Sequence, residues 1–394
     1  MKKVLFITYG GGHVNIVLPI VKRMMDSGEF RPVVIGLTTA ANKLEENGIP
    51  FNRFADLLND EDKARALEIG TILAKEHHNA SSGLQVIDTI HYLGTSVYDL
   101  SLEYGLDEGL RIFRENGRKA FLPLRITSKI LEQVQPDLVV TTCGERAERA
   151  MTRSAKAAGI PSLRIVDLFG TTGNLPDSDY IAVMNSYAKS CLIQRGVDEE
   201  KIFVTGQPAF EALSLLELEQ QSVRKSQNPV PQVLWASQNI PEIKEVAEEV
   251  FRTFDSLPDV HLLVKLHPNE NGCIQEELLR KYSSPNIRIL RDGDMKRLIQ
   301  SSDVVITQFS TCGLEAILLG KPLITINFSG KADIMPYASS GAATGIYEPG
   351  RLISVLKETM NSGQNRTVAP KEQFLMPKGP TDNVLQLIKN IVQS

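Results

Sequence analysis

The sequence predicts an α/β chain of two domains, each with an open parallel sheet. Three observations carry this. Short β-branched apolar runs alternate with helical stretches from end to end. The turns after several of these runs hold glycine, hydroxyl or histidine residues. At 394 residues the chain is long enough for two domains.

The most informative unit is Asp303 to Asn327. Val304-Val305-Ile306-Thr307 reads as a buried strand and Gln308 to Gly313 as a small, polar turn. Leu314 to Leu319 has helical composition, Gly320-Lys321-Pro322 stops it, and Leu323 to Ile326 is the next strand. Ser310 and Thr311 thus stand at a helix N-terminus, where free N–H groups and the dipole favour an anion. Gly313 belongs to the same turn and is expected to face the nucleotide with them. Earlier, Leu262 to Leu266 is a strand ending in His267-Pro268, because Pro268 cannot continue a ladder. Ligands of open parallel sheets gather at that edge, so His267, Ser310, Thr311 and Glu315 are expected around one nucleotide.

The pair His267-Pro268 and Ser310-Thr311 resembles the His-Pro and Ser-Ser/Thr motifs of bacterial sialyl- and polysialyltransferases. It is also similar to CDP-glycerol glycerophosphotransferases, and UDP-N-acetylglucosamine 2-epimerases have a related layout. These proteins share the glycosyltransferase-B architecture of two facing Rossmann-like domains. The resemblance implies that the histidine and hydroxyls hold nucleotide phosphates.

In chain order, Val4 to Thr8 is the first strand, Tyr9 to His13 a glycine-rich turn, and Asn15 to Met25 a helix. Gly11 and Gly12 allow close backbone approach to a ligand. The spacing is not the dinucleotide fingerprint, and the turn resembles the first loop of glycosyltransferase-B proteins. His13 is placed to touch an acceptor or act as a base; an ordinary turn histidine is the competing reading. Arg31 to Leu37 is a second strand, and Pro50-Phe51 starts a short third segment. Residues 57–131 read as inserted helices walling one side of a cleft, with His77, His78 and His91 engaged in packing or surface contacts.

Pro136 to Thr142 is a strand leading to Cys143-Gly144-Glu145-Arg146-Ala147-Glu148. Glu145 and Glu148, three apart, are expected on one face of the first helical turn. Plain helix-dipole charges compete there with a catalytic carboxylate. The segment resembles the Gly-Asp-Arg-x-Glu of some UDP-N-acetylglucosamine 2-epimerases, with Glu145 one methylene longer than the family's Asp. Asp167, ending the Ser162 to Val166 strand, is a further acid. The passage Arg195 to Pro208 looks like the interdomain passage of the same superfamily. Residues 217–231 are polar and suit an exposed linker. The second domain opens with Val233 to Ala236, followed by Ser237 and Gln238 in the donor-contacting place the architecture implies. Gly341 to Gly345 reads as a loop, and two helices finish the chain.

The expected domains are 1–216, with the insertion at about 57–131, then 232–380, and a helix over 381–394 that crosses back in the resembled fold. Hydrophobic residues make up 42% and charged residues 23%, with net charge −4, which argues against nucleic acid as main partner. No apolar run of membrane-spanning length exists, and four scattered cysteines read as reduced thiols of a cytoplasmic protein. Peripheral membrane contact and a homodimer stay compatible with this composition.

Breaking the bond to a nucleotide leaving group develops negative charge that fixed donors must stabilise. The first reading is a glycosyltransferase-like enzyme moving a sugar or polyol phosphate from a UDP-, CDP- or CMP-linked donor to a sugar or lipid-linked acceptor in surface-polysaccharide synthesis. Its base is one of His13, Glu145, Glu148 and Asp167. The alternative is a UDP-N-acetylglucosamine 2-epimerase-like isomerase. Glu145 and Glu148 favour it, while Ala316, in place of a second acid after Glu315, disfavours it. A third reading is a non-catalytic nucleotide-sugar-binding protein. The nucleotide sugar is a substrate, no cofactor is expected, and Asp292-Gly293-Asp294 reads as a turn rather than a metal motif.

Overall fold

The computed structural model describes residues 1–79, 83–213, 230–363 and 372–393. The chain divides into two compact units, one of Met1–Glu211 with Met376–Ser394, the other Ala212–Leu375. The expected borders stood at 216, 232 and 380. The linker at 217–231 lies outside the described residues as far as 229.

In the first unit β1 (Lys2–Thr8), β2 (Phe30–Gly36), β3 (Leu138–Thr141), β4 (Ser162–Ile165), β5 (Tyr180–Val183) and β6 (Ile202–Val204) form one parallel sheet in the order β2-β1-β3-β4-β5-β6. Helices cover both faces, so the strands are apolar without alternation, and Val4, Leu5, Phe6 and Ile7 are wholly buried. β1 has β2 on one side and β3 on the other. The chain reverses direction across the sheet there, at the edge where open α/β sheets bind ligands.

Helix α1 spans Gly12–Ser27, starting three residues before the sequence suggests, since it takes Gly12 and His13 into its first turn. After α2 (Ala40–Glu46), the segment near Pro50 contributes a single bridge, Ile35 to Asn52, rather than a strand. The expected insertion consists of α3 (Asp60–His77), α4 (Val86–Tyr104) and α5 (Leu106–Asn116), followed by α6 (Leu124–Val134). α3 and α4 pack unusually closely. A Cβ on Gly70 would lie 2.1 Å from the Ile90 carbonyl oxygen, and one on Gly94 would lie 2.0 Å from that of Ala66. The insertion's apolar face joins one core layer with Leu5, Ile7 and Val139. As anticipated, its histidines pack: His77 edges onto Phe113, His78 Nδ1 pairs with the Thr89 hydroxyl, and His91 is buried. The opposite layer holds α1 and the last helix, Val384, Leu387 and Ile388 meeting Val17 and Ile20. α7 (Arg146–Ala157) follows β3, and α8 (Ser186–Gln194) follows β5.

The second unit repeats the plan. β7 (Gln232–Ala236), β8 (His261–Lys265), β9 (Ile287–Leu290), β10 (Val304–Thr307), β11 (Leu323–Ile326) and β12 (Thr344–Ile346) form a parallel sheet ordered β12-β11-β10-β7-β8-β9. The stretch expected as a loop at 341–345 supplies the start of β12, because Thr344 and Gly345 find ladder partners on β11 despite their small side chains. Helices α9 (Ile243–Asp255), α10 (Cys273–Tyr282), α11 (Met295–Ser301), α12 (Thr311–Leu318) and α13 (Leu352–Gly363) belong to this unit, and α14 (Pro380–Gln393) to the first. Here the direction reverses between β7 and β10.

Candidate functional site

Each reversal point carries a cluster of the residues singled out from sequence. In the first unit the turn after β1 leaves Gly11 at φ +67, and neither Gly11 nor Gly12 has any atom within 4 Å of where a Cβ would stand. Gly10 differs, since a Cβ there would lie 1.8 Å from the Thr39 hydroxyl. The backbone at Gly11-Gly12 is therefore open to a ligand and α1 has no side-chain cap. His13, in the first turn, is half-buried, and its Nδ1 is enclosed without a hydrogen-bond partner.

Glu145 and Glu148 part company. Glu145 sits before the helix in extended conformation (φ −126, ψ 146), so the face-sharing expected of an i, i+3 pair does not apply, and its side chain is exposed. Glu148 is completely buried. Its Oε2 accepts from the backbone N–H of Thr142 (2.5 Å) and of Cys143 (2.7 Å), and its Oε1 from that of Tyr9 (3.2 Å). The Thr142 hydroxyl adds a contact to each oxygen at 3.2 and 3.1 Å. Burial pushes this carboxyl up, while the nearby His13 and the backbone donors oppose that shift. With every oxygen engaged and none exposed, Glu148 ties the β1 turn to the β3 turn. That corrects its expected place among groups that meet substrate.

Asp167 follows β4 at the same sheet edge and is half-buried. The insertion adds a residue that the sequence did not single out. Tyr92 on α4 meets Tyr9, hydroxyl to hydroxyl at 3.2 Å, with rings edge-to-face at 5.9 Å. The Tyr9 oxygen also accepts from Ala147 N–H at 3.3 Å. Burial holds both phenols above the ordinary range. Arg146, at the start of α7, takes a left-handed φ of 48, uncommon for a residue with a side chain.

In the second unit His267 is exposed, as a strand-end residue should be. Glu270, not singled out from sequence, shapes its turn: Oε2 accepts from His267 N–H at 2.7 Å. Asn269 N–H donates to His267 Nδ1 at 3.1 Å, so the neutral ring carries its proton on Nε2 as a free donor. Ser237 is enclosed, and its hydroxyl donates to Glu270 Oε1 at 2.8 Å while accepting from Gln275 Nε2 at 3.1 Å. It serves the His267 turn rather than standing open to a donor. Gln238 Oε1 accepts from Phe309 N–H at 2.9 Å, bridging the β7 and β10 loops.

Ser310 caps α12 by accepting from Cys312 N–H at 3.2 Å, and Thr311 is exposed in the helix's first position. Gly313 departs from its expected ligand-facing place. A Cβ there would lie 2.8 Å from the Tyr337 ring and 3.2 Å from Leu323, so packing explains its size. Tyr337 in turn donates to the Ser310 carbonyl at 2.9 Å. Glu315 is half-buried, Oε2 enclosed and without a partner. Burial raises its carboxyl, with Lys296 opposing. Asp294 caps α11 through Lys296 N–H at 2.9 Å, the turn role read from sequence. Among the described residues there is no group of three His, Cys, Asp or Glu arranged to hold a metal, and no helix long and apolar enough to cross a membrane.

The sequence model of the UDP-N-acetylglucosamine 2-epimerase family matches residues 176–331. No curated protein matches the chain. Among solved structures, the Neisseria meningitidis UDP-GlcNAc 2-epimerase bound to UDP-GlcNAc is similar at 13% identity and TM-score 0.62, covering 100% of both chains. Acinetobacter baumannii MurG gives 14% identity and TM-score 0.62, over 99% of this chain and 100% of its own. The glycotransferase of kitacinnamycin gives 14% and 0.60, covering 99% of each. Epimerase and transferase thus match about equally well over the whole chain, and what this chain has in common with both is the glycosyltransferase-B fold.

Proposed function

We propose that the protein is a nucleotide-sugar enzyme of the UDP-N-acetylglucosamine 2-epimerase type. The observation that carries this is a pair of carboxylates, Glu145 and Asp167, at the ends of the adjoining strands β3 and β4. Inverting C2 needs a group that removes its proton from one face and one that returns a proton to the other. The family match over 176–331 supports the same choice. The nucleotide belongs to the second unit. There His267 Nε2–H, the Thr311 hydroxyl and the α12 N-terminus supply donors to phosphate, and Glu315 accepts from ribose. Removal of the C2 proton by Glu145 accompanies cleavage of the C1–O bond, and the departing diphosphate takes up the negative charge.

This reverses the preference of the sequence alone, in which the phosphate-binding motifs pointed to a transferase. One observation still favours transfer: Glu315 is followed by Ala316, not by a second acid. The readings separate in deuterated water. With UDP-N-acetylglucosamine and no acceptor, an epimerase places deuterium at C2 and yields the manno epimer, both visible by proton NMR. Glu145→Gln should slow exchange by roughly 10²- to 10⁴-fold, the range of general acid–base groups. A C2 proton that stays unexchanged in the wild type ends this proposal and leaves the transferase.

A further inference from the structure

The loop between β4 and β5 sends one side chain back to the turn that carries Glu145. Asn174 Nδ2 donates to Glu145 Oε1 at 2.7 Å and to the Gly144 carbonyl at 3.2 Å. The Asn174 carbonyl accepts from Arg164 Nη1 at 3.3 Å. Arg164 rises from β4. Its guanidinium fills the space a side chain at 144 would need, for a Cβ there would lie 2.4 Å from Nη1. Gly144, Glu145, Asn174 and Arg164 therefore form one connected unit across the ends of β3 and β4.

Arg164 is an expensive residue to put here. Burial works against its charge, and Cys143, Asp167, Glu148 and Asp177 offset that cost electrostatically. Its Nε is enclosed without a partner. A planar, permanently charged fork suits this place, since it fits beside a residue without a side chain and still reaches the Asn174 backbone carbonyl. Glu145, by contrast, lies outside the helix and is exposed, so nothing in its own backbone fixes its carboxylate. Asn174 supplies the missing restraint. An amide donating at once to Oε1 and to the carbonyl next door fixes both the position and the rotation of the carboxylate.

We infer that Asn174 and Arg164 are positioning residues for Glu145, Asn174 holding Oε1 so that Oε2 faces the C2 proton, and Arg164 holding Asn174. The inference rests on the proposed epimerase reading. The C2 proton passes to Oε2, the C2–H electron pair becomes the C1–C2 double bond, and the C1–O pair leaves with UDP. The reverse addition of UDP to C1 consumes a proton at C2. Positioning matters because proton transfer requires hydrogen-bond reach, and small displacements cost rate steeply.

The test uses the full chain, UDP-N-acetylglucosamine and C2 exchange in deuterated water. Asn174→Ala should lower kcat by roughly 10- to 100-fold, the scale of a lost hydrogen bond to a charged group, with KM changed less than about 2-fold. In the Glu145→Gln background the same change should cost less than about 2-fold, because no carboxylate remains to be held. Arg164→Lys should recover part of the rate lost in Arg164→Met. Circular dichroism checks that each variant folds. Independent, multiplying losses in Asn174→Ala and Glu145→Gln overturn the inference, as does a change confined to KM. If the wild type exchanges and Glu145→Gln is slow while Asn174→Ala is normal, the inference alone falls. If the wild type gives no exchange, the epimerase reading falls and takes the inference with it.

Discussion

Replacing Glu148 tests whether a buried carboxylate joins the β1 and β3 turns. Glu148→Ala deprives the backbone N–H groups of Thr142, Cys143 and Tyr9 of their acceptor. Each orphaned buried donor costs about 1–3 kcal/mol. Water entering the cavity relieves part of this, so about 3 kcal/mol is expected in all. For a unit of this size that lowers Tm by roughly 6–12 °C. Glu148→Gln should be milder. Its carbonyl can serve Thr142 and Cys143, its amide can donate to the Thr142 hydroxyl, and only Tyr9 N–H is stranded, at about 1–3 kcal/mol. The pH dependence has a definite sign. Burial raises the carboxyl, so the folded protein binds this proton more tightly than the unfolded chain does. The stability it contributes is complete below the unfolded value of about 4.3 and falls as pH rises toward the folded one. Glutamine does not titrate, so the wild type's advantage over Glu148→Gln should shrink with rising pH. Thermal unfolding followed by circular dichroism across pH 5–8, a range of about three units, reads both effects. An alanine variant melting within about 1 °C of wild type, against the drop expected above, refutes the tie between the turns. An advantage over glutamine that widens with pH refutes the assigned direction.

Two more outcomes concern the second unit. His267→Ala, and separately Ser310→Ala with Thr311→Ala, should weaken UDP binding by at least about 10-fold in titration calorimetry, the scale of a hydrogen bond to a charged phosphate. Unchanged affinity in both would misplace the nucleotide. Gly313→Ala drives a methyl to 2.8 Å from the Tyr337 ring and should destabilise by about 1–3 kcal/mol in urea unfolding. UDP affinity should fall as well, because Tyr337 holds the Ser310 carbonyl. A variant as stable as wild type would show that the ring yields freely.

Much of the fold is legible because parallel sheets write themselves plainly. β3, β10, β11 and all but the start of β1 are buried on both faces and read as mainly apolar runs, each closed by a turn. The end proposed to hold the nucleotide is legible for a similar reason. His267-Pro268 and Ser310-Thr311 are local signals whose meaning, a strand end and a helix start, is settled within a few residues. β12 fails that rule: Thr344-Gly345-Ile346 is a strand only because β11 lies beside it.

The residues that escape sequence reading act through partners far along the chain. Asn174 sits in a loop of glycine, proline and aspartate with no periodicity, 29 positions from the carboxylate it holds. Tyr92 is one apolar helix residue among many until α4 brings it to Tyr9, 83 positions away. Glu148 shows the opposite failure. The i, i+3 spacing from Glu145 predicts a shared face, but that rule assumes both residues lie within the helix. Glu145 is extended and Arg146 takes a left-handed turn, so the helix starts one residue too late for the pair. That displacement separates the two acids by task. The one inside the helix is drawn beneath the sheet edge to bind backbone, and the one outside it is left exposed, where only a neighbouring loop can hold it in place.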